Sequence, residues 1–137
     1  MSPRFLIDTD ILIYLRQRKS LQVTARFRAV QAGDAAMSVI THGELLYGAE
    51  RSQERERSLK SVNDLTSLVP VMALPEDTGT EYGRIRAELE RRGIPIGNND
   101  LWIAAHAKAA GLILVTNNEK EFRRIGGLRV ENWAAGK

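Results

Sequence analysis

Short β-rich apolar runs alternate with longer stretches of helical period along this chain, and that alternation limits its fold more than any other feature. The strand-like runs lie at residues 3 to 8, then at "AAMSV", "VPVMAL" and "LILVT", and "LRVENW" follows the last helical segment. "LILVT" is the clearest, a β-rich segment bounded by Gly111 and Asn117. Between the runs lie "TDILIYLRQ", "SLQVTARFRAVQAG", "ITHGELLYGAERS", "QERERSLKSVNDLTSL", "PEDTGTEYGRIRAELERRG", "NNDLWIAAHAKAAG" and "NEKEFRRI", all with apolar residues at helical spacing. Strands separated by helices cannot pair as hairpins. They predict an α/β fold with a central, mainly parallel sheet flanked by helices.

Local signals punctuate the same scheme. Thr9 or Asp10 is placed to cap the first helix, and Ser20 and Gly33 to open and close the second. Leu59, Val62 and Leu65 share the inward face of the charged fourth helix. Pro75 and Gly93 bracket the next, and Gly111 closes the Ala-rich one. At 137 residues without repeats or linkers, one domain over 1–137 is expected.

Composition excludes several classes. No apolar stretch reaches the roughly 18–20 residues of a membrane span. "MSPRFLIDTD" runs straight into a strand, so no secretory signal is expected. Cysteine is absent, which excludes disulfides and thiolate metal sites and suits a cytoplasmic location. A net charge of +3 tolerates a nucleic-acid partner without demanding one.

Most of the 17 acidic residues lie among arginines on helices or at turns. Three do not. Asp8 ends an apolar strand, Glu44 interrupts "SVITHGELLYG", and Asp100 stands within "IPIGNNDLWIAAHA". Each has a simple structural role open to it: a helix cap for Asp8 or Asp10, an arginine partner for Glu44, and a first-turn position behind an Asn98 cap for Asp100. Together, three acids in apolar settings repel one another unless a cation sits between them. All-oxygen ligands without cysteine select Mg²⁺ or Mn²⁺ over zinc. In sheets of this kind ligands bind beyond the C-terminal ends of the strands, where Asp8 and Thr116 both fall.

The histidines add nothing to such a centre. His42 lies about 200° around a helix from Glu44, and His106 about 240° from Asp100. Both read as packing or surface residues. "GELLYG" and "GRIRAE" lack the spacing of a phosphate-binding glycine loop.

"LIDTDILIY", "SVITHGELLYGAERS", "IPIGNNDLWIAAHAKAAGLILVTNNEKEF" and "GGLRVENW" resemble, in type, order and spacing, the PIN-domain ribonucleases of the VapC toxin type. The resemblance covers nearly the whole chain. It implies a single PIN domain and a Mg²⁺-dependent endoribonuclease, with Mn²⁺ able to substitute. The implied substrate is tRNA or rRNA, and the implied inhibitor a VapB-type antitoxin from a toxin–antitoxin operon. It also implies a homodimer that, with its antitoxin, binds operator DNA as a larger hetero-oligomer.

Residue by residue, Asp8, Glu44 and Asp100 match the family's acids and would hold the metal. Thr116 matches its hydroxyl residue. Asn118 stands where many members carry a further acid, which leaves one metal or two open. Asp10 stands where many have Asn, and is expected to orient the site. Thr116 and Asn118 are expected to hydrogen-bond to water or phosphate. Arg84, Arg86, Arg91, Arg92 and the Arg16–Lys19 stretch are candidates for drawing in RNA. "ILIYL" and "ELLYG" are candidates for an antitoxin groove.

Two rivals stand beside this reading. "FLIDTDI" also resembles the nucleophile motif of haloacid-dehalogenase-type phosphatases, with Asp8 phosphorylated and Asp10 as acid/base. That family prefers Thr or Val where Leu12 stands, no later paired-Asp motif appears, and Glu44 is left idle. The other rival is an inactive PIN-like module that only binds RNA or protein.

Overall fold

The structure, a computed structural model, describes residues 3–134, so residues 1–2 and 135–137 of the expected domain lie outside it. Five strands form one sheet: β1 (Phe5–Ile7), β2 (Ala35–Ser38), β3 (Val71–Met72), β4 (Ile113–Val115) and β5 (Val130–Glu131). Every pairing is parallel, and the order is β3-β2-β1-β4-β5. Helices α1 (Thr9–Gln17) and α2 (Leu21–Ala29) join β1 to β2. Helices α3 (Val39–Arg51) and α4 (Arg55–Leu68) follow β2, then α5 (Thr78–Arg91) and α6 (Asn98–Ala110) lead to β4, and α7 (Glu119–Phe122) precedes β5.

The period of two along β1 builds a layer on each face. Phe5 and Ile7 join Ile11, Leu12, Met37, Leu45, Val62, Leu65 and Trp133 on one side. Leu6 points the other way, against Leu89, Ile103, Ala104, Leu114 and Phe122. The run from Ile103 to Ala107 is buried throughout, which explains its Ala-rich composition: small side chains let α6 lie close against its neighbours. No helix of the described residues is long and apolar enough to cross a membrane.

The departures from expectation have local causes. "VPVMAL" yields only two paired residues, because β3 is an edge strand with one neighbour. "LRVENW", which the sequence did not mark as a strand, supplies β5 at the other edge. Val39 opens α3 instead of closing β2, since the Ser38 side chain caps the helix by accepting from the Ile40 N–H at 3.1 Å. Helix α2 stops at Ala29, and Gly33, with φ of +90°, turns the chain into β2 instead. The cap of α1 is Asp8, one residue before Thr9. Gly97, not Asn98, caps α6. Ile11, Leu12 and Leu45 are buried in the core, so "ILIYL" and "ELLYG" present outward residues alone: Leu15 lines a groove between α1–α2 and α4, and Tyr47 is exposed.

Gly111 ends α6 in the left-handed region, at φ of +70°, and sets the chain directly into β4. A β-branched side chain is strained there. Gly111→Val is expected to lower unfolding free energy by about 1–2 kcal/mol in urea titration. An unchanged midpoint and slope contradict that role.

Candidate active site

Strand β1 has β2 on one side and β4 on the other, so chain direction across the sheet reverses between β1 and β4. A crevice opens at such a point, beyond the carboxyl ends of the strands. Asp8 follows β1 there and Thr116 follows β4. The backbone locks the two together: Asp8 N–H donates to the Val115 carbonyl at 2.8 Å, extending the ladder past the last paired residues.

Asp8 is only 6% exposed. Its Oδ1 accepts from the Thr9 N–H at 2.8 Å, and its Oδ2 from the Thr116 hydroxyl at 2.8 Å. Thr116 is fully buried and in turn accepts from the Asn118 N–H at 3.0 Å. The threonine therefore orients Asp8, with its hydroxyl committed inside the chain. Burial pushes the Asp8 carboxyl up to about 7, with the charges of Asp10 and Asp100 adding to the effect against the two hydrogen bonds.

Asp10 faces the same crevice from the first turn of α1. Its Oδ2 accepts from the Asn117 N–H at 3.1 Å, while its Oδ1 is buried without a hydrogen-bond partner among the described residues. Burial raises its pKa above the ordinary value too.

Glu44 reaches in from α3. The Thr9 hydroxyl donates to its Oε1 at 2.5 Å, and Asn99 Nδ2 to its Oε2 at 3.2 Å. Asp100, in the first turn of α6, is half-buried, and its carboxyl is pushed up to about 6. Burial is the chief cause. The charge of Glu121 and a hydrogen bond with its carboxyl come next, then the charges of Glu44 and Asp10.

Glu121 escaped the sequence reading. It lies in the charged "NEKEFRRI" segment, and α7 carries it to Asp100. Asn118 does not stand alone in its acid's place, because its Nδ2 donates to Glu121 Oε1 at 3.1 Å. The Asn–x–x–Glu spacing at a helix start was the available signal. Thr9 and Asn99, which hold Glu44, carried no mark in the sequence.

None of the ion pairs among the described residues involves Asp8, Asp10, Glu44, Asp100 or Glu121. Of the candidate RNA arginines, Arg84 pairs with Glu81, Arg86 with Glu90 and Tyr82, Arg91 with Glu88, and Arg92 with the Arg124 carbonyl, while Arg16 and Arg18 border a groove between α1–α2 and α4. His42 is half-buried on α3, and His106 is fully buried on α6.

The PIN domain family profile matches residues 5–128. The chain belongs to the PIN-domain family, in its VapC branch. It is 44% identical to the tRNA(fMet)-specific endonuclease VapC of Shigella flexneri, over 96% of this chain and 98% of that protein. Ribonuclease VapC2 of Haemophilus influenzae strain Rd is 42% identical over 95% and 98%. The DNA-bound VapBC structure from Salmonella typhimurium superposes with a TM-score of 0.89 at 40% identity, covering 96% of this chain and 98% of that one. The parallel PIN sheet expected from the sequence is the one observed, and membership of this family displaces the phosphatase reading.

The raised acids make a pH dependence. Below about pH 4 the Asp8 carboxyl is protonated whether the chain is folded or unfolded. Between about pH 4 and pH 7 the unfolded chain gives up this proton while the folded one keeps it, so the group's contribution to stability falls as pH rises through that window. Asp100 contributes likewise up to about pH 6. Asp8→Asn in EDTA is therefore expected to gain on the native chain from about pH 4 to pH 7, with a constant difference above that. Urea unfolding across the range measures it. A pH-independent difference contradicts the assigned burial.

Proposed function

We propose that this chain is the toxin of a toxin–antitoxin pair, a Mg²⁺- or Mn²⁺-dependent endoribonuclease whose centre is the Asp8–Glu44–Asp100 constellation with Glu121 beside it. One observation carries the reading. Asp8 after β1, Asp10 on α1 and Asp100 on α6 all have pKa values raised chiefly by burial. The charges of Asp10 and Asp100 add to the rise at Asp8, and those of Glu121, Glu44 and Asp10 to the rise at Asp100. No cationic side chain among the described residues is paired with them.

The donor set fits a hard cation. It offers only oxygen ligands, and the unpartnered Asp10 Oδ1 adds a carboxylate oxygen beside them. Among the described residues no three acids stand close enough to form a closed cage. Mg²⁺ commonly takes one or two carboxylates and completes its shell with water and substrate phosphate, so an open arrangement suits it. Asp8 and Asp100 would hold the ion, with Glu44 acting directly or through water. When bound, it supplies Lewis-acid polarisation of the phosphodiester and a water of lowered pKa.

The chain's own groups do the rest. Thr116 and the Thr9 N–H fix the rotamer of Asp8. Thr9 and Asn99 aim Glu44, which can orient the attacking water. Asp100, pushed up to about 6, can take or return a proton near neutral pH. The product is a hydrolysed phosphodiester bond in RNA. The substrate class we favour is tRNA, in keeping with the tRNA(fMet)-specific name of the Shigella relative.

The partner reading rests on a surface as well as on the VapBC neighbours. A groove of about 660 Å³ between α1–α2 and α4 is lined by Leu15, Leu21, Phe27, Leu65 and Leu68, and Leu21 is 85% exposed. Arg16, Arg18 and Arg28 border it. A VapB-type antitoxin with an apolar, acid-flanked segment would cover it, in an assembly of toxin dimers that works in the cytoplasm. An inactive binding module would have no need of five acids gathered beyond the end of β1.

Cleavage of a tRNA pool by the purified chain tests the reading. Mg²⁺ or Mn²⁺ should support cleavage and EDTA stop it. Asp8→Asn should lose activity by at least about a hundredfold while remaining folded. Glu121→Gln should cost more than Asn118→Ala, because the carboxylate meets Asp100 and the amide only steadies the carboxylate. Full cleavage in EDTA, or by Asp8→Asn, contradicts the proposal.

A further inference from the structure

Ser38 and His106 are both fully buried, with His106 Nδ1 lying 2.9 Å from the Ser38 hydroxyl. The other ring nitrogen, Nε2, has no hydrogen-bond partner among the described residues. A buried imidazole with an unpaired nitrogen is less stable than an apolar side chain of similar size at that place. Such a residue calls for an explanation in what its paired nitrogen does. Burial pushes the ring's pKa down, so it meets Ser38 as the neutral imidazole.

Ser38 is a junction. It ends β2, pairs in register with Met72 of β3, and caps α3. Six residues further along, α3 carries Glu44, and six residues before His106, α6 carries Asp100. A second polar tie joins the same helices, from Asn99 Nδ2 to Glu44 Oε2. The two ties match 38 with 106 and 44 with 99, so α3 and α6 run antiparallel and are fixed at points about 9–10 Å apart along their axes. One point lies among the acids, and the other lies at the sheet, where the register sets Ser38 at the end of β2 level with Asp8 after β1. Packing already confines α6, whose run from Ile103 to Ala107 is buried, and the two polar ties add directional restraints at both points.

We infer that the Ser38–His106 hydrogen bond is a positioning latch that sets the angle between α3 and α6, and through it the separation of Glu44 from Asp100. His106 touches no reacting atom. It acts through Ser38, as a positioning residue. The latch rests on the reading of the acid constellation as a cation-dependent ribonuclease centre.

The test is a double-mutant cycle on the full chain, with Ser38→Ala, His106→Leu and the pair. Calorimetric Mn²⁺ affinity, tRNA cleavage and melting temperature are read for each. Each single substitution should weaken Mn²⁺ binding by about tenfold at a temperature where the chain is folded, and the pair by no more than the worse single. His106→Asn returns a polar atom to the place of Nδ1 and should recover most of the affinity. It should do so even while leaving a cavity and melting lower than His106→Leu. Ser20→Ala removes the side-chain cap of α2, away from the acids, and should lower melting without moving Mn²⁺ affinity. Should His106→Leu not fold, Ser38→Ala and His106→Asn carry the comparison. Affinities within about twofold of the native chain in both singles, or losses that multiply in the pair, overturn the latch. A native chain that binds no Mn²⁺ and cuts no RNA overturns the reading of the site itself, and the latch with it.

Discussion

The rest of the structure depends on the cost of placing the Asp8 carboxyl at the end of the central strand. Its main-chain N–H belongs to the sheet, its side chain caps α1, and both its oxygens are held. Those bonds fix the group without neutralising it. Asp10 and Asp100 add negative charge to a site already short of water, and the proton becomes the available counter-charge. Stability is given up at neutral pH, and on the proposed function a bound cation would recover it. Local rules broken in this way are characteristic of functional sites.

The architecture turns that local cost into a centre. Parallel register places the ends of β1 and β4 side by side, so Asp8 and Thr116 meet although 108 positions separate them. The helices supply the remaining acids from three directions: Glu44 on α3, Asp100 on α6 and Glu121 on α7. Glu44 is steadied by Thr9 and Asn99 and Glu121 by Asn118, neutral neighbours instead of arginines, while Asp100 meets the Glu121 carboxyl. A neutral donor orients a carboxylate and leaves its charge available. An arginine would orient it and cancel it.

Much of this was legible in the sequence because it rests on local chemistry. Alternating strand and helix periods read as a parallel α/β sheet, and Gly93 and Gly111 marked the ends of α5 and α6. Asp8, Glu44 and Asp100 stood out because charge in apolar surroundings is rare. Asn118 read as a missing acid because spacing along the chain cannot show that Glu121, one helical turn on, reaches Asp100. The β3 edge strand came out longer in the sequence than in the fold and the β5 edge strand went unread, since the extent of an edge strand depends on how far its one neighbour extends. His106 read as packing, and only the antiparallel meeting of α3 and α6 reveals its contact with Ser38.

The central claim is that the Asp8 carboxyl is held near neutrality by a cluster awaiting a cation. Carbon-13 NMR of the aspartate side chains, titrated in EDTA and again in saturating Mg²⁺, addresses it directly. In EDTA the Asp8 carboxyl should titrate near 7, and Mg²⁺ should bring its midpoint below the ordinary aspartate value. A midpoint near 3.8 in EDTA, unmoved by Mg²⁺, would contradict the account.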